Sequence, residues 1–345
     1  MKIATQFIVR FSLLLLLFAP LCGVRAQQQT DVPRRGEGIT TFLQRHGRSP
    51  KLYYDDFVEL NRKKLRGSEE LRLGVSYIVP PLKDASSTSA SKKKNSRRGK
   101  SVREPLLGKR FRDVAVTSDR LAGTCFYLVS GHGGPDPGAI GRVGRHELHE
   151  DEYAYDIILR LARYLLSEGA EVRIIIQDAK DGIRGDAYLS NSKRETCMGD
   201  PIPLNQVARL QQRCDKINTL YAKDRKRYKY CRALFVHVDS QGRGKQMDVY
   251  FYHAAGSGKG ERLADALRST FKAKYGIHQP GRGFTGTVSE RGLYVLNHTT
   301  PVAVFVELGN IQNQSDLRRL VQPDNREALA KWLKDGIAKD YVSNK

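Results

Sequence analysis

In LVSGHGGPDPGAIG, residues 128–141, an apolar run leads into a histidine surrounded by glycine, proline and aspartate. Glycine and proline are the residues of tight turns, so this stretch predicts a buried strand that ends in a turn. His132 is the first reactive side chain after the strand. A lone histidine in a turn is usually structural, so a chemical role requires that other reactive side chains converge on it.

Downstream of Val114, strand-like and helix-like stretches alternate. The strand-like stretches are CFYLVS, EVRIIIQD, ALFVHVDS, MDVYFYHA, LYVLNHT and PVAVFVELGN. The helix-like stretches are EYAYDIILRLARYLLSEGA, VARLQQRCDKINTLYAK, ERLADALRSTFKAKYG and NREALAKWLKDGIAKDY. This alternation predicts an α/β fold over residues 114–345: a twisted, mainly parallel sheet flanked by helices on both faces. Functional residues gather at the carboxyl ends of the strands in such sheets.

Histidine and carboxylate side chains are placed at that edge. His132 follows the first strand, His237 and Asp239 end ALFVHVDS, Glu307 lies near the end of PVAVFVELGN, and Glu150 opens the first long helix. Each residue alone has an ordinary structural interpretation. Glu150 is then an acid favoured by the helix N-terminus, His237 is a histidine of the core, and Glu307 is a charged residue at the edge of the sheet. Imidazole and carboxylate groups on one rim are the composition of a catalytic zinc site. Their joint placement therefore predicts a hydrolytic metal centre.

The first 26 residues have the pattern of a secretory signal peptide. Basic Lys2 and Arg10 precede an apolar core at Phe11–Leu21, and a small-residue pattern predicts cleavage after Ala26. The apolar core is too short for a spanning helix, and no later stretch approaches the length needed to cross a bilayer, so we expect no transmembrane segment. The sequence predicts an exported protein of the periplasm or cell envelope.

Two further segments precede the predicted α/β domain. In residues 36–81 the succession GEGITTFLQRHG, FVELNRKKL and LRLGVSYIVP resembles a LysM repeat, a small α+β module. That resemblance implies binding of N-acetylglucosamine chains, and the alternative is a small helical cap that binds nothing. Residues 82–113, Ser-rich and then densely basic, are predicted to be a linker between the two units.

The charge of the chain limits the classes of partner. The formal net charge is +22, and removal of Lys2, Arg10 and Arg25 with the signal peptide lowers it to +19. A surface of this sign attracts polyanions, which for an exported protein include anionic wall or envelope polymers. No nucleic-acid-binding module is recognisable in the sequence, so nucleic acid is not an expected partner.

Four cysteines remain after the predicted cleavage: Cys125, Cys197, Cys214 and Cys231. An even number in an exported chain permits up to two disulfides in three pairings. We expect one bridge among the three cysteines at 197, 214 and 231. Cys125 opens a buried strand and is expected to be a free core thiol.

Four blocks together resemble the zinc-dependent N-acetylmuramoyl-L-alanine amidases of bacterial cell-wall turnover. They are GHGGPDPGAIG at 131–141, the acids of 150–152 that lead into a helix, LQQRCDKIN at 210–218, and VELGNIQNQSD at 306–316. The resemblance spans most of residues 121–342. It implies peptidoglycan as the substrate and hydrolysis of the amide between N-acetylmuramic acid and L-alanine of the stem peptide. It also implies that His132 and Glu150 bind Zn²⁺ and that Glu307 is the catalytic carboxylate.

The third ligand departs from the family pattern. Where the family has S-I-H-A-N, we align residues 237–241, HVDSQ, so Asp239 takes the ligand position and His237 stands two residues earlier. Three arrangements follow. Asp239 binds the metal directly, which we prefer because three ligands are kept with the least rearrangement; His237 binds it and Asp239 orients His237; or the metal site is lost. The last would make the protein a catalytically inactive peptidoglycan-binding protein.

Overall fold

The computed structural model describes residues 28–66, 70–82, 100–239 and 246–344. The predicted signal peptide at 1–26 and most of the predicted linker lie outside these residues.

The N-terminal unit is a small α+β module with its own apolar core. Its elements are β1 (Thr30–Asp31), α1 (Ile39–Arg45), α2 (Pro50–Leu60), α3 (Arg62–Leu65) and β2 (Tyr77–Ile78). β1 pairs with β2 in antiparallel orientation, so the module begins at least six residues before the predicted start at 36. Phe42, Phe57 and Tyr77 are fully buried at its centre. The buried Asn61 amide bonds to the carbonyl oxygens of Phe57 and Ile78, which ties the end of α2 to β2.

The remainder of the chain forms one α/β domain. Its first part contains β3 (Ser101–Arg103), a 3₁₀ turn (Pro105–Leu107), α4 (Gly108–Phe111), β4 (Asp113–Ala115), β5 (Thr124–Ser130), β6 (Ile140–Val143), β7 (His146–His149) and α5 (Glu150–Ser167). Then follow β8 (Glu171–Ile174), β9 (Ile176–Gln177), β10 (Thr196–Cys197), β11 (Asp200–Pro201), α6 (Gln206–Asp224), β12 (Tyr230–Asp239) and β13 (Tyr250–His253). The last part contains α7 (Gly258–His278), β14 (Thr287–Glu290), α8 (Tyr294–His298), β15 (Val302–Asn310), α9 (Gln314–Val321) and α10 (Pro323–Ser343).

The centre of this domain is a six-stranded sheet in the order β14-β13-β15-β12-β5-β8. β13 runs antiparallel to β15, and the other neighbouring strands in this sheet are parallel. One face packs against α5, α7 and α10, and the other packs against α6 and α8. The predicted α/β class and mainly parallel sheet are confirmed. All seven residues of β5 are buried, as expected for a strand covered on both faces.

The structure differs from the sequence-based prediction at LYVLNHT, where it has the short helix α8 instead of a strand. Val295 and Leu296 are adjacent and both buried against the face that α6 covers. A short apolar run is compatible with either a buried strand or a turn of helix, so its periodicity could not separate the two.

The α/β domain also begins earlier than the predicted boundary at residue 114. Residues of the predicted linker form β3, the 3₁₀ turn and α4, and β3 pairs with β4. Leu107 is fully buried in the core of the domain, and Phe111 packs against that core. This basic stretch folds because Leu107 and Phe111 pack against the core. The many Lys and Arg residues around these two apolar residues made the stretch resemble a linker in the sequence.

The two units are in contact through the start of α10. The Asp324 carboxylate accepts hydrogen bonds from the backbone N–H groups of Thr40 (3.2 Å) and Thr41 (2.9 Å) at the amino end of α1. A negative charge at a helix N-terminus is stabilising, and Asp324 provides one for α1. Gly38, the residue that precedes α1, has no side chain that could cap the helix. A Lys331–Glu70 ion pair at 2.7 Å adds a second contact between the units.

All four cysteines of the α/β domain are free and buried. The bridge expected among Cys197, Cys214 and Cys231 is absent; these residues lie on β10, α6 and β12 respectively. Cys214 accepts a hydrogen bond from the Thr299 hydroxyl, and Cys231 donates to the Tyr228 carbonyl oxygen. Their thiols therefore fill the core beneath α6.

Within the residues that the structure describes, we find no helix with the length and apolar character needed to cross a bilayer.

Candidate metal centre

His132 lies in the turn that follows β5, and the local backbone is shaped around it. Its φ of +58° falls in the left-handed region that non-glycine residues rarely adopt. The neighbouring Gly131 is required by close approach, because a Cβ there would lie 2.3 Å from Cε1 of His237. The Asp136 carboxylate bonds to Nδ1 of His132 at 2.8 Å. This contact leaves Nε2 of His132 directed at Glu150, 3.2 Å away.

Glu150 is the first residue of α5 and lies between the two histidines. Its Oε2 atom faces His132 and accepts a hydrogen bond from the backbone N–H of Ala139 at 2.9 Å. Its Oε1 atom contacts Nδ1 of His237 at 2.9 Å and accepts from the Val238 N–H at 3.0 Å. The helix N-terminus also favours a negative charge at this position. The buried carboxylate is therefore held by four contacts.

His237 lies near the carboxyl end of β12, the strand next to β5. Its ring stacks on Phe305 of β15 with centroids 4.3 Å apart, and it lies edge-on to the His132 ring at 5.0 Å. The stacking fixes the plane of the His237 ring, so its nitrogen stays directed at Glu150. The convergence of two adjacent strands and the start of α5 thus brings together three side chains from different elements.

These three residues form the cluster that fits a metal ion in the described part of the chain. One ligand atom from each of His132, Glu150 and His237 lies within 4.8 Å of the others. Gly138 borders the cluster: a Cβ there would lie 2.6 Å from Cδ2 of His132 and 2.7 Å from Oε2 of Glu150. Two imidazoles and one carboxylate are a ligand set used by catalytic zinc sites, with a further position open for water. The donor chemistry therefore fits zinc.

Glu307 lies on β15 directly beside His237. The two residues are partners in the parallel register of β12 and β15, so their side chains point to the same face of the sheet. Glu307 is only 8% exposed. After this pair the register shifts, so that Asp239 lies opposite Asn310. The side chain of Asp239 lies outside the described part of the structure. Of the predicted site residues, the structure brings His132, Glu150, His237 and Glu307 to one edge.

The three cluster residues perturb one another's ionisation. Burial disfavours the charged form of His132, but its bonds to Asp136 and Glu150 outweigh burial and raise its pKa to about 10. Burial acts against ionised Glu150 in the same way, and hydrogen bonds from both histidines hold its pKa well below the usual range. Burial is the largest effect on His237 and lowers its pKa. The centre thus concentrates an ionised carboxylate between two imidazoles.

Sequence reasoning missed the residues behind His132. Asp136 bonds to the His132 ring, and Arg209 of α6 bonds to Asp136 at 2.6 Å. Arg213, one turn further along α6, donates to the carbonyl oxygen of His132 at 3.2 Å. The four-residue spacing of His132 and Asp136 within one turn was a signal for the first of these. No sequence signal links α6 to that turn, since more than 70 residues separate them.

Comparison with known proteins identifies the family to which the α/β domain is similar. A profile of the N-acetylmuramoyl-L-alanine amidase family matches residues 127–339. The chain is 26% identical over 231 residues to a germination-specific N-acetylmuramoyl-L-alanine amidase of Bacillus subtilis, with 64% of this chain and 81% of that protein covered. It is 26% identical over 244 residues to a probable cell wall amidase of Staphylococcus aureus, with 67% of this chain and 62% of that protein covered.

A solved N-acetylmuramoyl-L-alanine amidase of Nostoc punctiforme superimposes with a TM-score of 0.45 and 19% identity, covering 65% of this chain and 99% of that one. The family profile spans more than half of the present chain and includes all the residues of the candidate centre. The protein therefore belongs to the N-acetylmuramoyl-L-alanine amidase family of peptidoglycan hydrolases.

Proposed function

We propose that the α/β domain is a zinc-dependent hydrolase that cleaves the amide bond between N-acetylmuramic acid and L-alanine of the peptidoglycan stem peptide. The observation that carries the proposal is the convergence of His132, Glu150 and His237 beside Glu307. Family membership supports the substrate class, and the donor set supports the choice of metal. Relatives named as cell wall amidases support a location at the cell envelope.

In this proposal His132, Glu150 and His237 would hold the metal, and the contact of Asp136 with Nδ1 would orient His132 so that Nε2 faces the metal position. When bound, zinc would supply Lewis acidity, which would lower the pKa of a bound water and polarise a carbonyl. Glu307 accepts the proton of the attacking water and delivers it to the leaving amine of L-alanine. Glu307 suits this role by its position, since it is buried near the sheet edge beside His237.

The two other arrangements have less support. Direct binding by Asp239 would place a second carboxylate beside Glu150 in the ligand set. That arrangement is not needed to complete three ligands, because His237 already lies in the cluster, 2.9 Å from Glu150. Loss of the metal site would not explain why three buried or half-buried metal-ligating side chains have their donor atoms within 4.8 Å of one another. The inactive peptidoglycan-binding protein is therefore the second candidate, and the experiments below distinguish it.

We expect purified peptidoglycan incubated with residues 27–345 and zinc to release free stem peptides from intact glycan strands. A chelator should abolish this release, and added zinc should restore it, because hydrolysis depends on the metal. Mass spectrometry of the soluble products measures both effects. Protein that pellets with peptidoglycan and releases no stem peptide in either condition would favour the inactive binding protein.

Substitution of the two competing residues separates the ligand arrangements. His237→Ala is expected to lower zinc content to near zero, since one of three protein ligands is lost. Asp239→Ala, the matched variant two residues along the same strand, is expected to retain zinc. Metal content of the purified variants, measured by elemental mass spectrometry, gives the answer. Loss of zinc from Asp239→Ala alone would restore Asp239 as the ligand.

For the N-terminal module, the proposed role is attachment to the glycan strands, in keeping with its resemblance to a LysM repeat. The order of its elements, a strand, three helices and a closing strand around a separate core, supports an independent binding unit. The basic surface of the chain supports a secondary attraction to anionic envelope polymers.

A further inference from the structure

Helix α6 contacts the turn that contains His132 at two points. Arg209 and Arg213 are four residues apart and therefore lie on one face of the helix. Arg209 reaches the His132 ring through Asp136, whereas Arg213 reaches the His132 backbone. The helix itself is anchored in the core by the buried side chains of Cys214 and Ile217. A rigid element thus holds both the ring and the main chain of one residue.

Arg213 is an unusual side chain for this position. It is only 2% exposed, and among the residues that the structure describes no carboxylate forms an ion pair with it; the Asp136 carboxylate, which pairs with Arg209 at 2.6 Å, attracts it without direct contact. Its guanidinium donates to two carbonyl oxygens, that of Arg209 at 3.1 Å and that of His132 at 3.2 Å. Arginine is rarely buried without an ionic partner, because desolvation of its charge is costly. A side chain retained at such a cost is expected to have a specific task.

The role of Arg213 follows from the backbone conformation of His132. A left-handed conformation at a non-glycine residue costs free energy and persists only where the surroundings impose it. The direction of the His132 carbonyl depends on that conformation, and a charge-assisted hydrogen bond from a fixed guanidinium holds the carbonyl in place. Relaxation of the turn would move the ring away from Glu150 and His237, which belong to other elements.

We propose that Arg213 is a positioning residue for the metal centre, which holds the main chain of His132 so that Nε2 faces Glu150. This inference rests on the proposed function, since it assigns a role toward the metal that His132 would bind. Arg213 acts through His132 and has no contact with substrate in this role. The effect is expected in metal affinity and in the local stability of the turn.

Arg213→Met tests the assignment, because methionine keeps an unbranched apolar stem and loses every donor. We expect the zinc dissociation constant, measured by competition with a chromophoric chelator, to rise about 10- to 100-fold, as for other residues that orient metal ligands. The matched control is Arg232→Met: Arg232 is also buried, donates to the Cys231 carbonyl oxygen at 3.0 Å, and lies on β12 away from the cluster. Arg232→Met is expected to alter unfolding without altering zinc affinity.

A second measurement needs no metal. The N–H of Gly133 donates to the Asp136 carbonyl oxygen at 2.8 Å within the same turn. In metal-free protein, hydrogen exchange at Gly133 is expected to be about tenfold faster in Arg213→Met and unchanged in Arg232→Met, because only the first loosens the turn. Should Arg213→Met fail to fold, Arg213→Lys replaces it, since lysine keeps the charge and loses the paired donors.

Zinc affinity within twofold of the unsubstituted protein, together with unchanged exchange at Gly133, would overturn the assignment. Tighter zinc binding by Arg213→Met would also overturn it, since Arg213 would then act only by charge repulsion. If the unsubstituted protein binds no zinc while exchange at Gly133 still depends on Arg213, the proposed function fails and the positioning role of Arg213 in the turn stands.

Discussion

Glu307→Gln is expected to reduce the release of stem peptides from peptidoglycan by about 10²- to 10⁴-fold, the usual contribution of a positioned acid–base group. Glutamine keeps the size and polarity of the side chain but cannot take up a proton from water. Zinc content is expected to be unchanged, because Glu307 lies beside the donor cluster and is not a member of it. Initial rates with saturating zinc, and metal content of the same preparation, measure the two effects.

A matched control is Glu290→Gln on β14, an exposed glutamate whose strand lies at the outer edge of the same sheet. Its rate is expected to equal that of the unsubstituted protein. Turnover retained by Glu307→Gln would remove Glu307 from proton transfer. Loss of both turnover and zinc would instead make Glu307 part of the metal-holding structure.

Asp156→Asn is expected to lower the free energy of unfolding of the domain by about 3–5 kcal/mol, the cost of breaking a buried ion pair on one side. Asp156 is fully buried on α5 and accepts hydrogen bonds from Arg326 (2.6 Å) and Arg160 (2.8 Å). It also accepts from the backbone N–H of Arg184 at 2.8 Å. Asparagine would leave two buried guanidinium groups, one of them on α10, without their shared negative charge.

The same residue predicts a pH dependence. Burial opposes ionisation of Asp156, but Arg160, Arg326 and Arg184 together hold its pKa well below the usual range. A folded-state pKa below the unfolded value of 3.8 stabilises the fold at higher pH, and this stabilisation is lost as pH falls below about 4. Stability should therefore decline less steeply with acidification in Asp156→Asn than in the unsubstituted protein.

Urea unfolding at several pH values tests both expectations. Asp119→Asn, at an exposed aspartate of the same domain, serves as the control and is expected to unfold within about 0.5 kcal/mol of the unsubstituted protein. A loss below about 1 kcal/mol in Asp156→Asn at neutral pH would mean that the arginines find other partners after substitution.

Much of the fold could be predicted because local patterns and tertiary packing agree. The amphipathic stretch that became α5 and the apolar run that became β15 each have one dominant period, and the alternation of such stretches favours parallel strands with covered faces. Placement of His132, Glu150, His237 and Glu307 at one sheet edge then follows from the topology. The strand β13 was predicted, but its antiparallel orientation and the helix α8 were not, because short segments take their orientation and conformation from their neighbours.

Local patterns in the sequence were sufficient to predict the α/β class, the edge at which the reactive side chains gather, and the candidates for the metal and acid–base roles. Which of these side chains come into contact depends on tertiary packing. His237 reaches Glu150 because adjacent strands and the start of α5 converge, and stacking on Phe305 fixes its ring. The contacts of Arg209 and Arg213 with the His132 turn likewise depend on how α6 packs on the sheet. Such distances are set by packing between elements remote in sequence, which no local pattern of residues encodes.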